Sequence, residues 1–295
     1  MSGWRTVVIQ DRVKLFLRDD HLVTEMNGEE TEIPLDQIGQ LLIMSPKASL
    51  TVPLLNALAD RHALVTVCDE KRDPSCVIME TGRHVYTAGC LMDQAAWRPE
   101  RAERIWTEIV SQKMRMQHEL TALMGLKPPD EMHAYREALM PGDSTNREGQ
   151  MARLYFGVLF GPDFVRHMDD EINAALNYGY AIVRSSVTRA ILMRGYHPAL
   201  GLHHRGRTNP VNLSCDLMEP FRPFADRMVF INRFRAFDWE YRKELIALPQ
   251  TYCRYDGKKM KLLNAVEAFV TDALKAMEDE THTIKEVSFC RTDAV

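Results

Sequence analysis

The stretch RIWTEIVSQKMRMQHELTALMG, residues 104–125, separates two kinds of sequence pattern in this chain. Its apolar stripe consists of Ile105, Ile109, Met116, Leu120 and Leu123. Positions three and four apart lie on one face of a helix, so this spacing predicts an amphipathic helix. The stripe ends at Gly125, and two prolines follow at 128 and 129, which is typical of a helix C-terminus. We expect strands before this helix and helices after it.

The ninety or so residues before this helix have the short period of strands. The candidate strands are 13–17, 22–26, 29–33, 41–44, 64–67 and 77–79. Asn27-Gly28 lies between two of them and accepts the positive φ of a tight hairpin turn. A helix is expected from Thr51, a residue type that caps helices, to Leu58, with Pro53 in its first turn. These signals predict a small sheet domain with one helix.

The residues after 125 follow a helical period. The candidate helices lie near 131–140, 145–160, 169–194, 213–236 and 259–279, and loops rich in Gly, Pro and Asn join them. The predicted fold class is therefore α+β. We expect a small β-rich domain over residues 1–92 and a larger all-α domain over 93–295, with the boundary near 90–97.

Composition excludes several classes of protein. With 45% hydrophobic and 26% charged residues among 295, the chain matches ordinary globular proteins rather than disordered or fibrous ones. No apolar run approaches the ~18 residues that cross a bilayer, and the start lacks a signal-peptide core, so we expect a cytoplasmic protein without membrane contact. The six cysteines form no CxxC pair, which argues against a thiolate zinc site. GxSxG, GxGxxG and GxxxxGK[ST] runs are also missing, which argues against a serine hydrolase or nucleotide-binding protein.

The formal charge of -4 is unevenly distributed along the chain. Residues 1–95 hold 9 Lys+Arg against 14 Asp+Glu, whereas residues 184–261 hold 15 against 7, a net of +8. Such a local excess can neutralise nucleic-acid phosphates, although long basic side chains also merely solvate helix surfaces. The candidate DNA-contact residues are Arg205, Arg207, Arg222, Arg233, Arg235, Lys258 and Lys259.

Glu148 is a charged residue on the apolar stripe of the candidate helix 145–160. The same stripe contains Met151, Ala152, Tyr155 and Leu159. Burying an unpaired charge is costly, so this carboxyl must be protonated, paired with an arginine, or bound to a cation. Within this helix alone, an arginine pair is the commoner solution and a metal the rarer one.

The segment HHRGRTNPVNLSCDLMEPFRP, residues 203–223, places two histidines in a loop before a helix with two acids. Asp216 and Glu219 are three residues apart and therefore share a helix face, away from the apolar one. Pro220 and Pro223 lack amide hydrogens, so we expect the helix to bend here. An imidazole with carboxylates is compatible with Mg²⁺ or Mn²⁺, whereas the nearby arginines leave simple salt bridges as the alternative.

Four segments together resemble a known family, the CRISPR-associated adaptation integrases, also described as the CRISPR-associated endonuclease of the universal spacer-acquisition pair. The segments are REGQMARLYF (147–156), NAALNYGYAIVRS (173–185), GLHHRGRTNPVNLSCDLMEPFRP (201–223) and YCRYDGKKMKL (252–262). They occur in the family's order, and the β-rich N-terminal part agrees with its two-domain plan. The resemblance implies that Glu148, His204 and Glu219 are the catalytic metal ligands, with Asp216 as an accessory acid and His203 as the alternative to His204.

The resemblance also implies an activity and its partners. The family inserts short foreign DNA fragments into a CRISPR repeat array by transesterification, with Mg²⁺ or Mn²⁺ as cofactor. The implied partners are double-stranded DNA fragments, CRISPR repeat DNA, a second copy bound through the N-terminal domain, and a small companion adaptation protein in a heterohexamer. The resemblance is closest to members that accompany single-protein RNA-guided effector nucleases, which adds such a nuclease as a candidate partner. Two alternatives remain open: a non-catalytic DNA-binding scaffold subunit of the adaptation complex, and a general metal-dependent nuclease.

Overall fold

The computed structural model of the chain describes residues 5–70, 74–78 and 88–290. These residues fall into two compact units, one within 1–87 and the other within 88–295. The division lies a few residues before the predicted boundary, because a short helix over Ala88–Ala95 belongs to the second unit. Among the described residues, no helix is both long enough and apolar enough to cross a membrane.

The first unit is built mainly of short strands. Its described elements are β1 (Arg5–Ile9), β2 (Lys14–Arg18), β3 (His21–Met26), β4 (Glu29–Pro34), β5 (Ile38–Ile43), β6 (Ser49–Leu50), α1 (Val52–Asp60), β7 (Leu64–Cys68) and β8 (Pro74–Ile78). They form two four-stranded sheets, with the orders β1-β5-β7-β8 and β4-β3-β2-β6. The predicted hairpin is confirmed, since Asn27 and Gly28 have φ values of 54° and 86° between β3 and β4. The end of the candidate strand 77–79 lies outside the described residues.

The core of this unit lies around β5, which is buried at every residue and pairs with β1 on one side and β7 on the other. Leu54 and Leu58 of α1 are buried in the same apolar cluster as Leu41. β1 and its parallel pairing with β5 were not predicted. Parallel partners are separated by long stretches of chain, so no local turn signal marks them.

The second unit is mainly helical. Its described elements are α2 (Ala88–Ala95), α3 (Pro99–Leu123), α4 (Asp130–Glu137), α5 (Arg147–Phe160), α6 (Glu171–Leu192), α7 (Asn212–Leu217), α8 (Arg222–Ile231), α9 (Trp239–Ile246), β9 (Tyr252–Tyr255), β10 (Lys258–Lys261), α10 (Leu262–Glu278) and β11 (Val287–Phe289). The predicted stripe of α3 is confirmed as buried at Ile105, Ile109, Met116 and Leu120. The α+β fold class is thus confirmed.

Two expectations about the second unit are wrong in detail. The candidate helix 213–236 is broken into α7 and α8 by a 3₁₀ turn over Glu219–Phe221, where the predicted bend falls. The candidate helix 259–279 begins only at Leu262, because Lys258–Lys261 pairs with β9 as an antiparallel strand. β9, β10 and β11 form a three-stranded sheet, so the larger unit is not purely α-helical.

Two helices position the elements that matter for function. α6 packs against α7, α8, α9 and α10, so it forms the centre of the unit. α3 packs against α5, α8 and the 3₁₀ turn over Glu219–Phe221. The first turn of α5 and the α7–α8 junction therefore meet beside α3.

Candidate active site

The three predicted ligands line one cavity of about 550 Å³ in the second unit. Glu148 comes from the first turn of α5, His204 from the loop before α7, and Glu219 from the 3₁₀ turn between α7 and α8. The structure therefore brings together three residues that are far apart in the sequence.

Asp143 fixes the first turn of α5 and thereby places Glu148 at the cavity. The Asp143 carboxylate accepts hydrogen bonds from the amides of Arg147 at 2.7 Å and Glu148 at 3.1 Å, which satisfies two free N–H groups of the first turn. The Glu148 side chain is 25% exposed and forms an ion pair with Lys113. The arginine partner that we considered commoner is therefore wrong: the counter-charge is a lysine from α3.

Glu219 is a buried carboxylate between two cations. Its side chain is 5% exposed, Arg222 Nε lies 2.9 Å from Oε1, and Lys113 Nζ lies 2.5 Å from Oε2. Burial by itself raises the pKa of this carboxyl, but Arg222 and Lys113 outweigh burial, and the pKa is lowered. Glu219 is thus ionised at neutral pH.

Lys113 is a site residue that the sequence analysis missed. It is 8% exposed, and its ammonium contacts both Glu148 and Glu219. Burial lowers the pKa of this amine, but the two carboxylates raise it further, so Lys113 is a cation. A signal was present, since Lys113 follows Ile109 by four residues on the face that is otherwise apolar.

Asp216 holds the loop before α7 that contains His203 and His204, here called the histidine loop. The carboxylate is 0% exposed and accepts hydrogen bonds from the amides of Leu202, His203 and His204 at 2.6 to 3.1 Å. It also lies 2.5 Å from His204 Nδ1. This bond is the first cause of a raised pKa at His204, against the effect of burial. Both oxygens are therefore occupied, and the expectation that Asp216 lies on a polar helix face is wrong.

The bond from Nδ1 to a carboxylate defines how His204 can act. With Nδ1 as the hydrogen-bond donor, Nε2 is the ring nitrogen left for a ligand in the neutral tautomer, as in many metal-binding histidines. His203 is held differently: its ring stacks on the indole of Trp106 with centroids 4.3 Å apart. Both rings line the cavity, but only His204 has a carboxylate partner among the described residues.

A second buried acid lies in the cavity wall and was also missed. Asp226 accepts hydrogen bonds from Tyr155 at 2.8 Å and Tyr180 at 2.5 Å. Burial raises its pKa from 3.8 to about 6, although both tyrosine hydroxyls act in the opposite direction. The Arg222 guanidinium lies 4.6 Å from the centre of the Tyr180 ring and also pairs with Glu219. Arg222 therefore links Asp226 and its two tyrosines to Glu219.

The residues fit a hard divalent cation in their chemistry. Within residues 5–70, 74–78 and 88–290, no three His, Cys, Asp or Glu side chains are already grouped for metal binding. Lys113 instead lies between two of the three predicted ligands. Among the described residues, Glu219 Oε2 is buried without an aligned hydrogen bond, and the Lys113 ammonium lies 2.5 Å from it. Two carboxylates and an imidazole nitrogen facing one cavity suit Mg²⁺ or Mn²⁺.

The candidate DNA-contact residues differ in exposure and in whether other residues of the chain already engage their side chains. Arg205 and Arg207 are exposed on the loop that carries His204, and Lys258 and Lys259 are exposed on β10. Arg222 differs from these four, because its guanidinium is engaged by Glu219 and Tyr180 inside the cavity, and its contact with DNA stays a prediction.

Arg233 and Arg235 lie between these extremes. The Arg233 guanidinium lies 4.0 Å from the ring centre of Phe230 and 4.4 Å from that of Phe234. Arg235 forms an ion pair with Glu244 at 2.9 Å. Both are therefore held by intramolecular contacts before any DNA binds.

Comparison with known proteins identifies the family. A family model described as CRISPR associated protein Cas1 matches residues 6–252. The chain is 36% identical over 231 residues to the CRISPR-associated endonuclease Cas1 of Neisseria meningitidis serogroup C (strain 8013), which covers 77% of this chain and 75% of that protein. A casposase bound to integration product has a TM-score of 0.78 at 15% identity, over 95% of this chain and 92% of that one. A chain of a Cas6-RT-Cas1–Cas2 complex has a TM-score of 0.75 at 16% identity, over 97% of this chain and 36% of that one.

The fold is thus that of the casposase and Cas1 structures. The chain itself belongs to the CRISPR-associated Cas1 family. The resemblance inferred from the four sequence segments is confirmed, since the family model is that of Cas1 and the relative from Neisseria meningitidis is a CRISPR-associated endonuclease.

Proposed function

We propose that this chain joins short DNA fragments to CRISPR repeat DNA by divalent-metal-dependent transesterification at the cavity that contains Glu148, His204 and Glu219. The observation that carries the proposal is the convergence of two carboxylates on one cation position beside an oriented imidazole. Mg²⁺ or Mn²⁺ in that position would activate the attacking hydroxyl and offset charge at the phosphorus. Attack by water at the same site would give nuclease cleavage.

The chain's own residues have separate roles in this proposal. Glu148, His204 and Glu219 are the ligands. Asp216 binds Nδ1 of His204, which leaves Nε2 as the ring nitrogen for the metal. Arg222 holds Glu219 ionised and in place at 2.9 Å. Arg205 and Arg207 bind phosphates next to the histidine loop, which fixes the DNA without reading its sequence.

The proposal extends to partners and location. A solved structural neighbour is a complex that contains Cas1 and Cas2, and another is a casposase with an integration product. By analogy, this chain forms a homodimer through its N-terminal unit, and a small companion adaptation protein completes a heterohexamer. The substrates are double-stranded fragments and the repeat array, so the protein acts in the cytoplasm. An accompanying effector nuclease is a further candidate partner.

The test compares ligand variants with a matched control. Glu148→Gln and Glu219→Gln keep the side-chain shape but remove a ligand charge, whereas Glu137→Gln changes an acid on α4 whose side chain is 70% exposed. The complex with the companion protein is given a labelled DNA fragment and a repeat-containing plasmid in Mn²⁺. We expect joining to fall about 100-fold or more in both ligand variants, in line with the loss of charged catalytic groups, and to be unchanged in Glu137→Gln.

Fragment binding, measured by fluorescence anisotropy, separates the alternatives. The proposal requires that binding persists when joining is lost. Joining at the wild-type rate in both ligand variants would favour the non-catalytic scaffold. Cleavage of branched DNA without any joining by the wild type would favour the general nuclease.

A further inference from the structure

One ammonium group neutralises two acids that come from different elements. Lys113 projects from α3, whereas Glu148 belongs to α5 and Glu219 to the turn between α7 and α8. The Lys113 nitrogen lies 2.5 Å from Glu219 Oε2 and is in direct contact with Glu148 Oε1. A lysine nitrogen therefore occupies the position that a cation shared by both acids needs.

The two acids depend on this lysine to different degrees. Glu219 has a second counter-charge in Arg222, 2.9 Å away. Glu148 has no ion pair other than that with Lys113 within the described residues. Two carboxylates that share one counter-charge repel each other when it is removed, and more strongly where burial keeps water away. Without a cation between them, Glu148, which is the more exposed, is the one that will turn outward.

We propose that Lys113 is a positioning residue. Its ammonium pairs with Glu148 and Glu219 in the metal-free protein and moves away from them when the divalent ion binds. The inference rests on the proposed metal-dependent function. A lysine suits this role because its charge is a single point on a flexible stem, whereas an arginine would hold the carboxylates with a rigid fork. Lys113 and the metal therefore compete for Glu148 and Glu219.

The cavity also contains a place for the displaced ammonium. Gln117 lies one turn further along the same face of α3 and lines the same cavity. Its Oε1 is buried and has no hydrogen-bond donor among the described residues. An ammonium that leaves the acids can donate to this oxygen without leaving the protein.

The test is calorimetric titration of the purified full chain with Mn²⁺ alone, so that no activity is needed. Lys113→Met removes the competing charge but keeps much of the side-chain volume, and Lys275→Met is the control because Lys275 is exposed on α10. We expect Lys113→Met to bind Mn²⁺ about tenfold or more tightly. In this variant the ion no longer has to displace an ammonium from the two carboxylates, so the free energy of that displacement is not subtracted from binding. Its melting temperature should fall without metal and recover with Mn²⁺. Lys275→Met should match the wild type.

A second variant covers the case in which Lys113→Met does not fold. Lys113→Arg keeps the charge, and its fork should hold the acids more firmly, so Mn²⁺ binding is expected to weaken at least severalfold. Unchanged or weaker Mn²⁺ binding by folded Lys113→Met, or unchanged binding by Lys113→Arg, overturns the competition while leaving the metal site intact. Failure of wild type and Lys113→Met alike to bind Mn²⁺ overturns both the competition and the metal-dependent function.

Discussion

Asp226 makes the stability of this protein depend on pH. Its pKa is raised to about 6 in the folded chain from an ordinary value of 3.8. Between about pH 4 and pH 6 the unfolded chain therefore loses this proton while the folded chain keeps it, and stability falls as the pH rises. The full difference is about 3 kcal/mol, because one pKa unit corresponds to about 1.4 kcal/mol. Urea unfolding at pH 4, 5, 6 and 7 measures it.

The comparison for this prediction is Asp226→Asn, which cannot ionise. An amide oxygen still accepts a bond from one tyrosine, and the amide nitrogen can donate to the other hydroxyl oxygen. The wild type should lose stability relative to Asp226→Asn as the pH rises from 4 to 7. A constant difference across this range would mean that the folded carboxyl titrates like the unfolded one.

The site residues that lie in family motifs were predictable from the sequence. Those that act only through contacts with other site residues were not. Glu148, His204 and Glu219 came from motif positions, and the structure places all three around one cavity. Lys113 was visible in principle as a charge on the stripe of α3, but a stripe interrupted by one lysine still predicts the same helix. Asp226 gave no local signal, because its partners Tyr155 and Tyr180 come from other helices.

At the scale of elements, the contact between α6 and α8 depends on a glycine. A Cβ added at Gly179 would lie 2.9 Å from Ala225 Cβ and 3.2 Å from Leu245 Cδ2. The helices must separate to admit it, and this moves the neighbouring Tyr180 away from Asp226. We expect Gly179→Ala to destabilise the protein by about 1–3 kcal/mol, the usual cost of overpacking. Urea unfolding at a fixed pH checks this value.

Gly157→Ala provides the control for this change. Gly157 lies within α5, and a Cβ there would meet nothing within 4 Å. Alanine favours a helix over glycine by about 1 kcal/mol, so this variant should be stabilised. If Gly179→Ala were also stabilised, close packing of α6 on α8 would not be the reason for that glycine.

Elements with a strong local period were predictable, and those defined by distant pairing were not. The α3 stripe and the Asn27-Gly28 hairpin matched the structure because helix period and turn chemistry act within a few residues. β9 and β10 were missed, although they too form a hairpin: Asp256 and Gly257 have positive φ between two four-residue strands. Basic and polar residues are frequent in these strands, so their strand signal is weak. The predicted helix was therefore extended over β10, although it begins at Leu262.

At the scale of the whole molecule, the structure reduces the positive charge that is available to DNA. The segment 184–261 has a net charge of +8, but several of its arginines face inward or pair with acids. The pairs are Arg189 with Glu267, Arg222 with Glu219, and Arg235 with Glu244. Arg205 and Arg207 are exposed and have no acidic partner in the part of the chain that the structure describes. They are therefore the strongest candidates for phosphate contacts beside the cavity.

Loss of these two arginines should change how salt affects DNA binding. The double variant Arg205→Gln/Arg207→Gln should lower the slope of log affinity against log salt by about 2, since each phosphate contact in duplex DNA contributes about 0.9. The control, Lys127→Gln/Lys275→Gln, removes the same charge at exposed positions outside residues 184–261 and should leave the slope unchanged. Anisotropy titrations of a labelled duplex from low to moderate salt measure both. An equal loss of slope in the two double variants would show that net charge, rather than the histidine loop, binds the backbone.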